Sequence, residues 1–202
     1  TSSDLKSAGN DVDFNSSKNG LQTETYNNGD KYVGNFVDGK RSGKGTYTWA
    51  SGDKYIGDWF NGSRTGKGTY IWTSGDKYIG DFVDGTRTGK GTYIWASGDK
   101  YVGDFVDGTR TGKGTYTWVG GDKYIGDFVD GKRTGKGTLT WADGGNYVGN
   151  FVDGEIEGEG IYTPVYGEIL EGKFENGTLV ESYKLDDSTV ENEFQELFQN
   201  FF

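Results

Sequence analysis

The chain has 202 residues, with 37 glycines, one proline, 16% aromatic residues and neither cysteine nor histidine. That composition excludes disulfides, zinc sites, thiol nucleophiles and imidazole bases, and its aromatic content excludes a disordered polar tract. The formal charge of −10 belongs to one end: residues 1–153 hold 19 acids and 19 bases, while residues 154–202 hold 12 acids against Lys173 and Lys184.

A neutral body and an acidic tail make nucleic acid an excluded partner and anionic lipid a disfavoured one. No apolar run reaches the 18 residues of a membrane-spanning helix. The chain begins at Thr1 and contains no methionine. A removed N-terminal leader therefore stays open beside a slightly favoured cytoplasmic location.

Residues 1–28 are rich in Ser, Asn and Asp and end in a degenerate strand over 20–26 that caps a repeat array. From 29 to 166 the chain repeats a 23-residue unit six times. One tyrosine column runs Tyr32, Tyr55, Tyr78, Tyr101, Tyr124, Tyr147. A glycine column stands two residues on, and two further on stand Phe36, Trp59, Phe82, Phe105, Phe128 and Phe151. A fixed period of this length marks an array in which each unit contacts its neighbours.

Inside the unit the alternation has period two. Tyr78, Gly80 and Phe82 point one way, and Ile79, Asp81 and Val83 the other. Gly85 and Gly89 bracket a connection at Thr86-Arg87-Thr88 that reverses the chain, and a second strand carries Gly91, Tyr93 and Trp95 on one face. Each unit is thus a β-hairpin and the array one antiparallel sheet. Two strands per unit at about 4.8 Å give a rise near 9.6 Å per repeat. The glycine between Tyr and Phe leaves floor space for an aromatic ring from a neighbouring strand, and twist curls this face into a groove.

Residues 167–185 form a degenerate seventh unit, with Leu170 in the tyrosine column. Pro164 stands in the tryptophan column, where a strand would be an edge. Residues 186–202 predict an acidic amphipathic helix: Ser188 caps it, Glu191 completes the capping box, and Val190, Phe194, Leu197, Phe198, Phe201 and Phe202 form one stripe. Such a helix needs a surface. It caps the last repeat of its own sheet, pairs with another protomer, or meets a membrane or foreign partner.

The pattern Tyr-x-Gly-x-Phe, a turn glycine, then Gly-x-Gly and an aromatic strand resembles MORN repeats (membrane occupation and recognition nexus). The resemblance implies an elongated, twisted, single-layer sheet of consecutive hairpins. It also implies the company of scaffolds and dimers, some of which hold a partner helix on the sheet. With the terminal helix, the expected fold is all-β: an elongated single-layer antiparallel sheet of hairpins followed by a short α-helix.

The candidate partner site is the aromatic groove of Tyr55, Trp59, Trp72, Tyr78, Phe82, Trp95, Tyr101, Phe105, Trp118, Tyr124 and Phe128, since such rings make partner surfaces. The alternative is a phosphoinositide or membrane adaptor using a basic ridge of Arg64, Lys67, Arg87, Lys90, Arg110 and Lys113, which the family's name brings to mind and the acidic tail opposes. Phe194, Leu197, Phe198, Phe201 and Phe202 form the cap or assembly helix. Catalysis is not expected, because every repeat places its carboxylates in one and the same environment and paired catalytic acids need two. No loop has calcium-ligand spacing, and the Gly-x-Gly lacks the following helix of a phosphate loop, so neither metal nor cofactor is expected. A protein partner or self-association is.

Overall fold

The computed structural model describes residues 18–183, all of whose strands belong to one antiparallel sheet. The strands are β1 Gly20–Thr25, β2 Lys31–Val37, β3 Lys40–Thr48, β4 Lys54–Phe60, β5 Ser63–Ile71, β6 Lys77–Val83, β7 Thr86–Ile94 and β8 Lys100–Val106. They continue as β9 Thr109–Thr117, β10 Lys123–Val129, β11 Lys132–Thr140, β12 Asn146–Val152, β13 Glu155–Thr163, β14 Leu170–Glu175 and β15 Thr178–Ser182. The strands pair in strict chain order. The described residues contain no helix, and the helix expected over 186–202 lies outside them.

Alternation assigns the faces. Tyr78 and Phe82 of β6 are 0% and 2% exposed, whereas Ile79 and Val83 between and beyond them are 41% and 56% exposed. The hairpin turn is not at the Thr86-Arg87-Thr88 connection expected from the glycine spacing. Asp84 and Gly85 form it alone, with φ of 47° and 82°, and Thr86-Arg87-Thr88 already belong to β7. Two positive φ values make the turn whose twist matches the flanking strands, and Asp-Gly is its preferred dipeptide. Gly89 is instead part of a bulge: Gly80 faces Gly91, Asp81 faces Thr88, and Gly89-Lys90 are the two extra residues, with Gly89 at φ 64°. The bulge adds local twist in the repeats.

Glycines stand opposite glycines across the whole array, from Gly34 in β2 to Gly172 in β14. The ring that covers each pair is the unit's own tyrosine rather than one from a neighbouring strand. A Cβ on Gly80 would stand 2.5 Å from the Tyr78 hydroxyl and 2.7 Å from the Gly91 Cα, and one on Gly91 would meet the same ring. The hydroxyl of Tyr78 reaches past them and donates to the Asp81 carbonyl at 3.1 Å, beside the bulge. Pro164 lies beyond the end of β13, in the loop. Its place in earlier repeats is held by a tryptophan whose N–H closes the loop, as Trp95 does to the Asp99 carbonyl at 3.0 Å.

Gly80→Ala drives a methyl into ring and backbone together, and denaturant unfolding should show a loss of about 1–3 kcal/mol. Gly120→Ala meets nothing within 4 Å and has no positive φ, so its stability should stay within about 0.5 kcal/mol of the parent.

Candidate functional site

The ring-bearing face has two tiers. In the lower tier each tyrosine from Tyr32 to Tyr147 is gripped edge-on by two rings, one from its own strand and one from the next repeat. All are phenylalanines except Trp59, which meets both Tyr32 and Tyr55. Tyr78 meets Phe82 at 5.2 Å and Phe105 at 5.0 Å between centroids, both near perpendicular. Such pairs add about 0.5–1.5 kcal/mol each beyond burial. The upper tier is a continuous half-exposed ladder, Tyr70–Trp72–Tyr93–Trp95–Tyr116–Trp118, with centroids 4.4 to 5.4 Å apart. It breaks at Leu139, which takes the tyrosine place of the ladder in the next repeat.

Arginine roofs the tiers. The Arg87 guanidinium lies 5.4 to 6.0 Å from the rings of Trp72, Tyr78, Tyr93 and Phe105. It also couples repeats: its Nη2 donates to the Gly108 carbonyl at 2.9 Å, and the Gly108 N–H donates back to the Arg87 carbonyl at 2.9 Å. Burial lowers the affinity of Arg64, Arg110 and Arg133 for their protons. At the other margin of the sheet, aspartates couple successive loops. Asp76 accepts from the Tyr93 hydroxyl at 3.0 Å and from the Ala96 N–H at 2.8 Å.

The expected groove residues therefore divide. Tyr55, Trp59, Tyr78, Phe82, Tyr101, Phe105, Tyr124 and Phe128 are at most 4% exposed and form the core. Trp72, Trp95 and Trp118 stand in the half-exposed ladder, together with Tyr70, Tyr93 and Tyr116. The ladder tyrosines carried a signal in the sequence: each precedes its tryptophan by two residues and so shares its face.

The expected basic ridge divides too. Arg64, Arg87 and Arg110 lie over the rings, whereas Lys67, Lys90 and Lys113 are on the opposite face. There Lys67 pairs with Asp81 at 2.6 Å, Lys90 with Asp104 at 2.7 Å and Lys113 with Asp127 at 2.9 Å. The large trough is also on that opposite face rather than among the rings. Phe194, Leu197, Phe198, Phe201 and Phe202 lie outside the described residues.

A family sequence model described as MORN repeat matches residues 32–54, 55–77, 78–100, 101–123, 124–146 and 147–163. Among solved structures, the chain is similar to the TCP domain of SAS-4 (dCPAP) of Drosophila melanogaster in complex with a proline-rich motif of Ana2 (dSTIL). The identity is 17% over 75% of this chain and 83% of that chain, with a TM-score of 0.48. It is also similar to the wild-type TCP10 domain of Danio rerio CPAP in complex with a peptide of Danio rerio STIL. There the identity is 13% over 77% of this chain and 84% of that chain, with a TM-score of 0.28. Curated protein sequences give no match.

These contacts generate two titrations. Asp53 accepts from the Thr73 N–H at 2.9 Å, the Thr73 hydroxyl at 3.1 Å and the Tyr70 hydroxyl at 3.1 Å, and these bonds hold its carboxyl below the ordinary 3.8. A lowered carboxyl contributes stability above its unfolded value and loses it as pH falls through the folded value. Asp53→Asn should therefore be destabilised at neutral pH, and its deficit should shrink below about pH 3.8 in acid unfolding curves. Burial pushes the phenols of Tyr55, Tyr78 and Tyr101 up to about 12 from 10.0. Their contribution is whole below pH 10.0 and lost as pH rises towards 12, so tyrosinate absorbance should rise together with loss of sheet circular dichroism in that window.

Proposed function

The chain belongs to the MORN repeat family, and on that premise we propose that it is a non-catalytic protein-interaction module whose Tyr–Trp ladder receives an extended segment of a partner protein. The half-exposed, unbroken run of rings from Tyr70 to Trp118 carries this reading. Tryptophan, tyrosine and arginine are the side chains that dominate binding energy in interfaces, because large rigid rings are ordered at little entropic loss. Here they are already ordered by one another. A hollow of about 360 Å3 lined by Arg64, Tyr70, Trp72, Phe82, Arg87 and Asp107 opens beside the ladder. Aromatic-lined surfaces of this kind accept extended peptides, whose side chains enter the gaps between rings. The ladder repeats about every 9.6 Å, two strands at a time, which suits a ligand lying across the strands.

The repeated carboxylates support the non-catalytic side of the reading. Asp81 and Asp104 are engaged by lysines, and Asp53 and Asp76 hold neighbouring loops. The phosphoinositide alternative loses its geometric basis, since its arginines and lysines face opposite ways and the arginines are committed to carbonyls and rings.

Peptides selected from a random displayed library on the full chain test the proposal. The selected peptides should bind Trp72→Ala and Trp95→Ala about 10- to 100-fold more weakly than the parent, and Ile79→Ser on the other face equally well. Peptides that bind the tryptophan variants as well as the parent would overturn the reading.

A further inference from the structure

The face opposite the rings holds an open trough of about 1160 Å3, extending from Lys44 to Gly126. Its floor is the bare backbone of the glycine row. One bank is the cross-strand row Ile79, Thr92, Val102, Thr115 and Ile125, of which Ile79 and Val102 are 41% and 44% exposed. The other bank is made of Lys–Asp pairs that neutralise each other. Outside the aliphatic bank runs a further row with Lys54, Lys77, Lys100 and Lys123, and among the described residues none of these four is in an ion pair. The central face thus combines an aliphatic stripe with free cations about 9.6 Å apart.

This chemistry inverts at the C-terminal end of the sheet. The lysine column of Lys67, Lys90 and Lys113 reads Glu159 in β13, and the aliphatic column of Ile79, Val102 and Ile125 reads Glu171 in β14. A negatively charged segment is repelled by the last strands and attracted by the central ones.

We propose that the trough is occupied by this chain's own residues 188–202, lying over β8 to β11. Their sequence carries an apolar stripe with Phe194, Leu197, Phe198 and Phe201, flanked by Glu191, Glu193 and Glu196. The stripe matches the aliphatic bank, and the glutamates match the free lysines beside it. Reach agrees. The described chain stops at Tyr183, one residue past β15. Residues 184–187 span up to about 14 Å, and 15 residues at 1.5 Å rise add about 22 Å. The sum is close to the seven strand spacings of about 4.8 Å that separate β15 from β8. Attachment to the same sheet gives the segment an effective concentration that a free competitor would have to match. Repulsion from Glu159 and Glu171 keeps the segment off the last strands.

Zero-length carbodiimide coupling of the full chain, prepared as an equal mixture of unlabelled and 15N-labelled protein and read by mass spectrometry, tests the placement. Lys100 or Lys123 should couple to Glu193 or Glu196, within chains of a single isotope. The coupling should fall at least tenfold in Phe194→Ser/Phe198→Ser and in Val102→Glu. The Lys67–Asp81 link, inside the sheet, serves as the control for an intact fold. Should Val102→Glu lose that control, the Phe194→Ser/Phe198→Ser pair, which leaves the sheet untouched, decides. Trp95→Ala, on the other face, should leave the tail couplings unchanged, so the ladder reading can fail without this one. Mixed-isotope products would make a second copy the occupant and overturn the proposal. So would a tail that couples to Lys173 alone, or to no lysine of the sheet.

Discussion

The structure depends on a tyrosine ring lying on two glycines. An open sheet has no second layer to bury its apolar face, so the layer must come from the side chains themselves. In the unit around β6 and β7, Gly80 and Gly91 face each other across the strands, and Tyr78 covers both. Without Cβ atoms on that row the ring can approach the backbone itself. Its edges then remain for Phe82 and Phe105, and its outer face for Arg87. That is how a residue in a single-layer sheet comes to be 0% exposed. Any side chain on the glycine row lifts the ring and opens the contacts above it, which ties the glycine and aromatic columns together as one physical unit.

Polar groups then join one unit to the next. At the hairpin margin, arginine and glycine exchange two hydrogen bonds between repeats, and at the loop margin an aspartate holds the following loop and its tyrosine. Stability in such an array is a sum of units and nearest-neighbour couplings. The couplings weaken towards the C-terminus. Asp122 holds the Ala142 N–H at 2.9 Å, but Leu139 offers it no hydroxyl, and Gly145 stands where the next coupling aspartate would be. The side chains that change in the last repeats are thus those that speak to a neighbour, while the glycine row continues to Gly172.

The two faces offer different chemistry because strand alternation puts the ring columns on one and the aliphatic and lysine columns on the other. The ring face is closed by its own packing and leaves only the ladder to solvent. On the opposite face no ring lies over the glycine row, which is bare there and forms the trough floor between aliphatic and ion-paired banks. The two proposed ligands follow that division: rings suit an extended segment, and aliphatics with lysines suit an acidic apolar one.

The 23-residue period, the period-two alternation and the columns of tyrosine, glycine and phenylalanine determine an antiparallel sheet of hairpins before any coordinate is known, because a strand shows each face every second residue. The separation of the arginines from the lysines was also legible. Arg87 shares the parity of Tyr93, and Lys90 that of Thr92 and Ile94. A reversal at Thr86-Arg87-Thr88 hides that parity, and one at Asp84-Gly85, the stronger turn signal, reveals it. What no strand parity could tell is which rings are covered. Tyr78 and Tyr93 face each other across the same pair of strands on the same side. Tyr78 turns onto its glycines and under the phenylalanine of the next repeat, and Tyr93 is drawn outward by its hydroxyl to Asp76 in a loop. Burial on this sheet is decided by side chains that arrive from a neighbouring repeat, and only the assembled array brings them together.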